Sequence, residues 1–227
     1  MIVVSIDVGL KNLAIIRIDF QQSGNFEILD WVVISIETRP EPERCVAVNK
    51  NGSICNAKCK WVSCNIDDGK PSYSCRRHRQ GLCVKNKMHL QSLNGRLLDA
   101  LDMLPQLLQS ELVLIENQPS MVNPAIKTVQ IMLLSYFMSS GVRSPASPIK
   151  FVQCVHASLK MKACKDTIIP PQRTAYKRNK MLSIKTCEDI LEKATGCLKW
   201  LQFYQQHRKK DDLADAFLQA WVYWNSL

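Results

Sequence analysis

The sequence predicts an α/β protein: a mixed sheet with helices on its faces, interrupted once by a small cysteine-rich insertion. Three observations lead there. β-Branched runs fill residues 2–6, 13–18 and 25–36, at the start of the 227-residue chain. Leucines at helical spacing follow only after Met88, and from there helical and strand-like stretches alternate. Between the two parts, residues 37–87 hold six of the ten cysteines and little apolar periodicity. Strands in succession followed by helix–strand alternation make a mixed sheet covered by helices.

Taken in order, residues 2–6 are apolar and β-branched apart from Ser5 and read as a buried strand. Asp7 then brings a charge where burial is costly, and Gly9 permits a tight turn. Residues 13–18 return as a second strand and 25–36 make a third. Residues 37–87 read as an insertion, with 1–36 and 88–227 forming one domain around it. Leu90, Leu93, Leu97, Leu101, Leu104 and Leu108 fall at steps of three or four and make one helical stripe. Residues 111–116 are a short buried strand ending in Glu116. A helix over 123–139 is apolar nearly all round, so it is central or pressed against another subunit. Residues 149–152 make a last strand, 158–182 a basic, proline-containing loop, and 180–194 a further helix. The terminal helix, 211–224, buries a stripe of Leu213, Phe217, Ala220, Trp221 and Trp224. His156 and His207 have no partner visible in sequence, although His207 stands close to the start of this helix. Trp200, Phe203 and Tyr204 read as core.

Composition narrows the functional classes. The chain is 46% hydrophobic, enough for a real core, but no apolar run approaches the ~20 residues of a membrane span. No basic stretch precedes the first apolar segment, so no export signal is expected. The cysteines are then expected as reduced thiols or metal ligands rather than disulfides. The formal net charge is +10, from 30 Lys and Arg against 20 Asp and Glu. Such an excess suits a polyanionic partner, nucleic acid first.

Three acidic positions stand at element ends: Asp7, Glu116, and the run Asp211-Asp212-Leu-Ala-Asp215. On a helix Asp212 and Asp215 are about 60° apart around the axis, opposite the buried stripe. Aspartates at a helix start also serve as caps, so this run reads equally as a solvated helix terminus. Together with Asp7 and Glu116 it makes a cation site. Clustered carboxylates need a compensating charge, and oxygen ligands suit Mg²⁺ or Mn²⁺. Two such ions about 3.5–4 Å apart can hold a scissile phosphate between attacking water and leaving oxygen.

Three motifs in this order carry a family resemblance: Ser5-Ile-Asp7-Val-Gly9-Leu-Lys11-Asn12, Ile115-Glu116-Asn117-Gln118, and Lys210-Asp211-Asp212-Leu-Ala-Asp215-Ala-Phe-Leu. The chain resembles the RuvC-like branch of the ribonuclease H fold, and within it the Holliday junction resolvases of poxviruses and other large DNA viruses. The resemblance covers nearly everything outside 37–87. It implies a ribonuclease H-like mixed sheet flanked by helices. It further implies two Mg²⁺ or Mn²⁺ ions per active site on Asp7, Glu116, Asp212 and Asp215, with the choice between Asp211 and Asp212 open. A homodimer with contacts through the helix after Glu116 is implied too, and paired symmetric nicks in a four-way DNA junction leaving 5′-phosphates. No membrane or small-molecule substrate is expected. The compartment it suggests is a cytoplasmic viral replication site, with nucleus and mitochondrion open. Lys11, Lys127, Lys160, Lys162, Lys165, Arg173, Lys177, Arg178, Lys180 and Lys185 are candidates to track DNA phosphates.

The insertion carries its own signal. Zinc takes four tetrahedral N or S ligands, often with one closely spaced pair. Cys75-x-x-His78 is such a pair, and Gly52 permits the turn before Cys55. Cys45, Cys55, Cys75 and His78 resemble a small knuckle found in large-virus proteins, which implies one structural Zn²⁺. Cys59, Cys64 and Cys83 stay as spare thiols or substitute ligands. Lys58, Lys60, Arg76, Arg77 and Arg79 make DNA contact one use of the insertion, and partner binding is another. Two other functions stay open for the whole chain. One is a related nuclease acting on another DNA or RNA structure. The other is a zinc-containing nucleic-acid-binding or scaffold protein whose acidic residues are caps.

Overall fold

The computed structural model describes residues 1–22, 24–36, 44–57, 59, 61–64, 71–79, 90–121 and 123–227, with the backbone alone at 61–64 and 71–73. The chain divides into two compact units, Met1–Ile36 with Asn94–Leu227, and Glu37–Leu93. β1 (Ile2–Asp7), β2 (Leu13–Phe20) and β3 (Phe26–Ile34) form an antiparallel meander. β4 (Trp61–Cys64) and β5 (Pro71–Ser74) pair as a separate hairpin in the second unit. β6 (Leu112–Asn117) joins β1 in parallel and β7 (Phe151–His156) joins β6, so the main sheet has the order β3-β2-β1-β6-β7.

The β1–β2 turn depends on Gly9. A Cβ there would stand 2.4 Å from the carbonyl oxygen of Asn12, closer than atoms can approach. α1 (Leu90–Asp102) stops short of the expected stripe. Pro105 cannot continue the α-helical ladder, and Pro105–Gln109 forms a 3-10 turn instead. α2 (Pro124–Tyr136) starts at an Asn123 cap with proline in its first turn, and runs into a π-helical turn at Phe137–Val142.

The basic stretch expected as a loop is largely ordered. Leu159–Cys164 is a 3-10 turn, and α3 (Ala175–Lys193) begins five residues early. Thr174 explains the early start, since its hydroxyl accepts from Lys177 N–H at 3.2 Å. A helix that periodicity did not reveal, α4 (Leu198–Gln206), follows. Its Tyr204 stacks on Trp31 with centroids 5.4 Å apart, in a cluster that includes Phe203 and Phe217.

α5 (Lys210–Trp224) differs from expectation in its surroundings. A single buried stripe was expected. Instead Leu213, Ala214, Ala216, Phe217, Leu218, Gln219, Ala220 and Val222 are all buried. The helix lies between β1 and β2 on one side and α3 and the 3-10 turn on the other. Alanines at 214, 216 and 220 keep its outline small enough for both neighbours. No helix among the described residues is long and apolar enough to cross a membrane.

Candidate active site and metal centre

Sheet register and the seating of α5 bring three carboxylates together. Ile6 stands opposite Ile115 in the parallel pair of β1 and β6. Asp7 and Glu116 therefore follow as neighbours at the carboxyl edge of the sheet, where α/β folds collect their sites. α5 is pinned across both strands by buried polar contacts. Ser5 Oγ donates to the Ala216 carbonyl at 2.7 Å. Gln219 Nε2 donates to Ser5 Oγ at 3.1 Å and to the carbonyls of Ile6 and Leu114 at 3.4 Å. Asp215, beside Ala216, is carried to the same edge.

Lys160, from the 3-10 turn after β7, completes the cluster. Its Nζ lies 2.5 Å from Asp215 Oδ2, 2.9 Å from Glu116 Oε1 and 3.8 Å from Asp7 Oδ1. The four side chains are only 9–22% exposed. Burial, and then the charge of Glu116, push the Asp7 carboxyl well above its ordinary range. Burial acts on Glu116 in the same direction, but Lys160 and hydrogen bonds from Asp7, Lys160 and Gln118 bring it below its usual value. Asp7 and Glu116 thus shift in opposite directions although they share one environment. Asp215 is raised, by burial first, against the pull of Lys160. The Lys160 ammonium is desolvated, yet the three carboxylates outweigh that and hold it charged. Carboxylate oxygens are the donor type a hard divalent cation takes, and here they gather on the Lys160 ammonium.

Asp211 and Asp212 make different contacts. Asp211 pairs with Lys180 and, at 3.2 Å, with Lys209. These cations overcome desolvation and lower its pKa. Asp212 is raised by burial and by Asp211, and its Oδ2 lies 3.3 Å from Lys209 Nζ without a hydrogen bond. Of the four carboxylates singled out in the sequence, Asp7, Glu116 and Asp215 meet on Lys160, and Asp212 faces Lys209.

The candidate phosphate contacts divide by environment. Lys11, Lys162, Lys165, Arg173, Lys177 and Arg178 are exposed. Lys185 pairs with Asp189 at 2.7 Å, and Lys180 with Asp211. Lys127 bonds to Asn117 Oδ1 and Gln130 Oε1, both at 3.0 Å. It braces the loop whose Gln118 donates to Glu116 Oε2 at 2.6 Å. His207 Nδ1 accepts from Lys209 N–H at 3.1 Å, a local turn before α5. Sequence reasoning did not find the bracing roles of Ser5, Gln118 and Gln219. A serine inside an apolar strand and a glutamine inside a buried helix were the signals that could have found them.

In the second unit, Cys45, Cys55, Cys75 and His78 place their ligand atoms within 4.8 Å of one another. Cys55 Sγ lies 3.7 Å from Cys75 Sγ, and His78 Nδ1 lies 3.6 Å from the sulfurs of both Cys45 and Cys75. Ligands about 2.0–2.3 Å from a tetrahedral zinc stand about 3.5–3.8 Å apart, so the cluster is consistent with structural zinc. The backbone N–H of His78, and then that of Arg77, hold the Cys75 thiol down to about 6 against the effect of burial. Cys59 is not part of that cluster, and its Sγ stands 3.9 Å from the Ala57 carbonyl oxygen. Cys83, Lys58 and Lys60 lie outside the described residues, as does the side chain of Cys64.

With this geometry in view, known structures share the architecture. The yeast mitochondrial Holliday junction resolvase superposes with a TM-score of 0.56 at 14% identity, over 99% of this chain and 80% of that one. The fowlpox virus resolvase, solved with its substrate Holliday junction DNA, gives 0.52 at 15% identity, over 100% and 98%. The chain has the ribonuclease H-like fold of the Holliday junction resolvases. The superpositions cover 99–100% of this chain, so they take in the β1–β6 edge and α5. In sequence, the chain is 28% identical over 229 residues to an uncharacterized protein of Acanthamoeba polyphaga mimivirus. That match takes in 89% of this chain and 54% of its relative, so the chain spans about half the relative's length. No protein-family model matches the chain.

Proposed function

We propose that the chain is a metal-dependent endonuclease that resolves four-way DNA junctions by paired, symmetric phosphodiester hydrolysis. The observation that carries this reading is the meeting of Asp7, Glu116 and Asp215, three buried carboxylates from distant stretches, around one cation at the carboxyl edge of a resolvase fold. These three, with Asp212, would hold two Mg²⁺ or Mn²⁺ ions, which when bound activate water and stabilise charge on the phosphate oxygens. The protein's own groups do the rest. Gln118 orients Glu116, Lys160 compensates the carboxylates, and the exposed cations Lys11, Lys162, Arg173, Lys177 and Arg178 engage the phosphate backbone. A four-way junction has two-fold symmetry, which two copies of the chain would match with one site each. Ile131 and Met138, exposed on α2 and the turn after it, support a contact between copies there.

The test is cleavage of a synthetic four-way junction by purified protein in Mg²⁺, with the nicks mapped, beside a linear duplex and an RNA–DNA hybrid. Wild type should nick opposed strands of the junction at symmetric positions. Asp7→Asn should cut at less than about one-thousandth of the wild-type rate while binding the junction equally well. A wild-type protein that cuts no junction in Mg²⁺ or Mn²⁺ would defeat the reading, and preferential cutting of the hybrid would move it to a ribonuclease.

A further inference from the structure

The zinc-bearing unit holds a share of charge out of proportion to its size. Glu37–Leu93 is a quarter of the chain, yet its eleven Lys and Arg against five Asp and Glu give it +6 of the net +10. Where its side chains are described the imbalance is complete. Arg44, Lys50, Arg76, Arg77 and Arg79 are all exposed, and no carboxylate stands among the described residues of the unit. A structural metal site needs none of this. Four ligands fold a knuckle whatever its surface charge, and like charges on a small unit repel one another.

Two of these cations are placed by the metal ligands themselves. Arg76 and Arg77 are the residues between Cys75 and His78, in a turn closed by the His78 N–H to the Cys75 carbonyl at 3.2 Å. Both ends of that turn are tied to the cluster, while both guanidinium side chains face solvent. On the neighbouring hairpin, Val48 bridges Ile54, and Arg44 donates to the Asn56 carbonyl at 3.2 Å. Rigid backbone under several planar forks is the arrangement that phosphate recognition uses, because less rotamer entropy is given up for each hydrogen bond formed.

We propose that the zinc-bearing unit is a second nucleic-acid contact surface, which grips the phosphate backbone through Arg76, Arg77, Arg44 and Lys50. Its role is sequence-independent grip, separate from the carboxylate edge. The rival occupant is a protein docked on the exposed Val46, Val48 and Ile54. The excess of eleven basic over five acidic residues favours nucleic acid, since an ordinary protein surface offers mixed charge.

The inference extends the nuclease reading to DNA binding and can fail separately from it. The experiment uses the full chain and a labelled four-way junction, with no added Mg²⁺ and no chelator, titrated from 50 to 200 mM salt. Arg76→Glu with Arg77→Glu should weaken binding at least about tenfold. The slope of log affinity against log salt should become shallower by about 0.9 for each phosphate that the variant no longer neutralises. Zinc content, measured by metal release and a colorimetric chelator, should stay at one per chain, which separates a weakened grip from an unfolded unit. Unchanged affinity and slope with zinc retained would overturn the proposal in favour of the protein-docking surface. A wild type that binds but never cuts would sink the nuclease reading and leave this one standing. A wild type that cuts, with a double variant that binds as well as it does, would do the reverse.

Discussion

Lys160 is the residue on which the candidate active site balances. Three desolvated carboxylates share its ammonium, and none of them has an equivalent cation elsewhere among the described residues' ion pairs. Removing one partner from a buried charged group leaves the rest uncompensated, which costs about 3–5 kcal/mol. Lys160→Met is therefore expected to lower stability by about 3 kcal/mol in buffer without divalent ions, measured by urea unfolding. Added Mg²⁺ or Mn²⁺ should close most of that gap if the same carboxylates accept the ion. An equal loss with and without the ion would mean that Lys160 is only a packing element. Its place was not legible in the sequence. Lys160 stands in a basic stretch and reads as one more phosphate contact, because the return of the chain after β7 is a matter of three dimensions. Asp7 and Glu116 were legible together, since a turn aspartate is common by itself but two charged strand ends with an acidic helix start are not.

At the scale of elements, α5 decides the geometry of the site. Ser5 and Gln219 lock it to β1 and β6, with Asp215 carried to the edge. Gln219→Leu would strip the hydrogen bond from two buried carbonyls and a hydroxyl, at about 1–3 kcal/mol. The expected outcome is a fall in stability of that size by urea unfolding, with junction cleavage reduced more than the folded fraction explains. Cleavage that follows the folded fraction alone would show that α5 needs no such lock. Helical periodicity found this element and its buried stripe. It gave no sign that the opposite side would be covered as well, because the covering layer, α3 with the 3-10 turn, is a separate stretch whose docking on α5 no local pattern records. α4 was missed for a related reason. Nine residues are too few for a period to stand out, and Tyr204 is buried by Trp31, which lies far away in the sequence.

At the scale of the whole molecule, each of the two compact units carries its own side-chain cluster, one of carboxylates around Lys160 and one of three cysteines and a histidine. Small metal-centred units owe most of their folding free energy to the metal. Stripping zinc with a strong thiol-compatible chelator should therefore unfold the Glu37–Leu93 unit and leave the main sheet folded. Calorimetry would show the main transition unchanged, with Cys45, Cys55 and Cys75 newly open to alkylation. A main transition that collapses along with the zinc would contradict this. The sequence by itself determined the strand meander, the acidic element ends, the Cys45, Cys55, Cys75 and His78 cluster and the basic character, because each is written in local spacing or composition. Only the tertiary structure decided that Asp215 rather than Asp212 joins Asp7 and Glu116 on Lys160, and that α5 is packed on two sides. Those outcomes depend on parallel register and on helix seating, which arise from contacts between residues 44 to 211 positions apart.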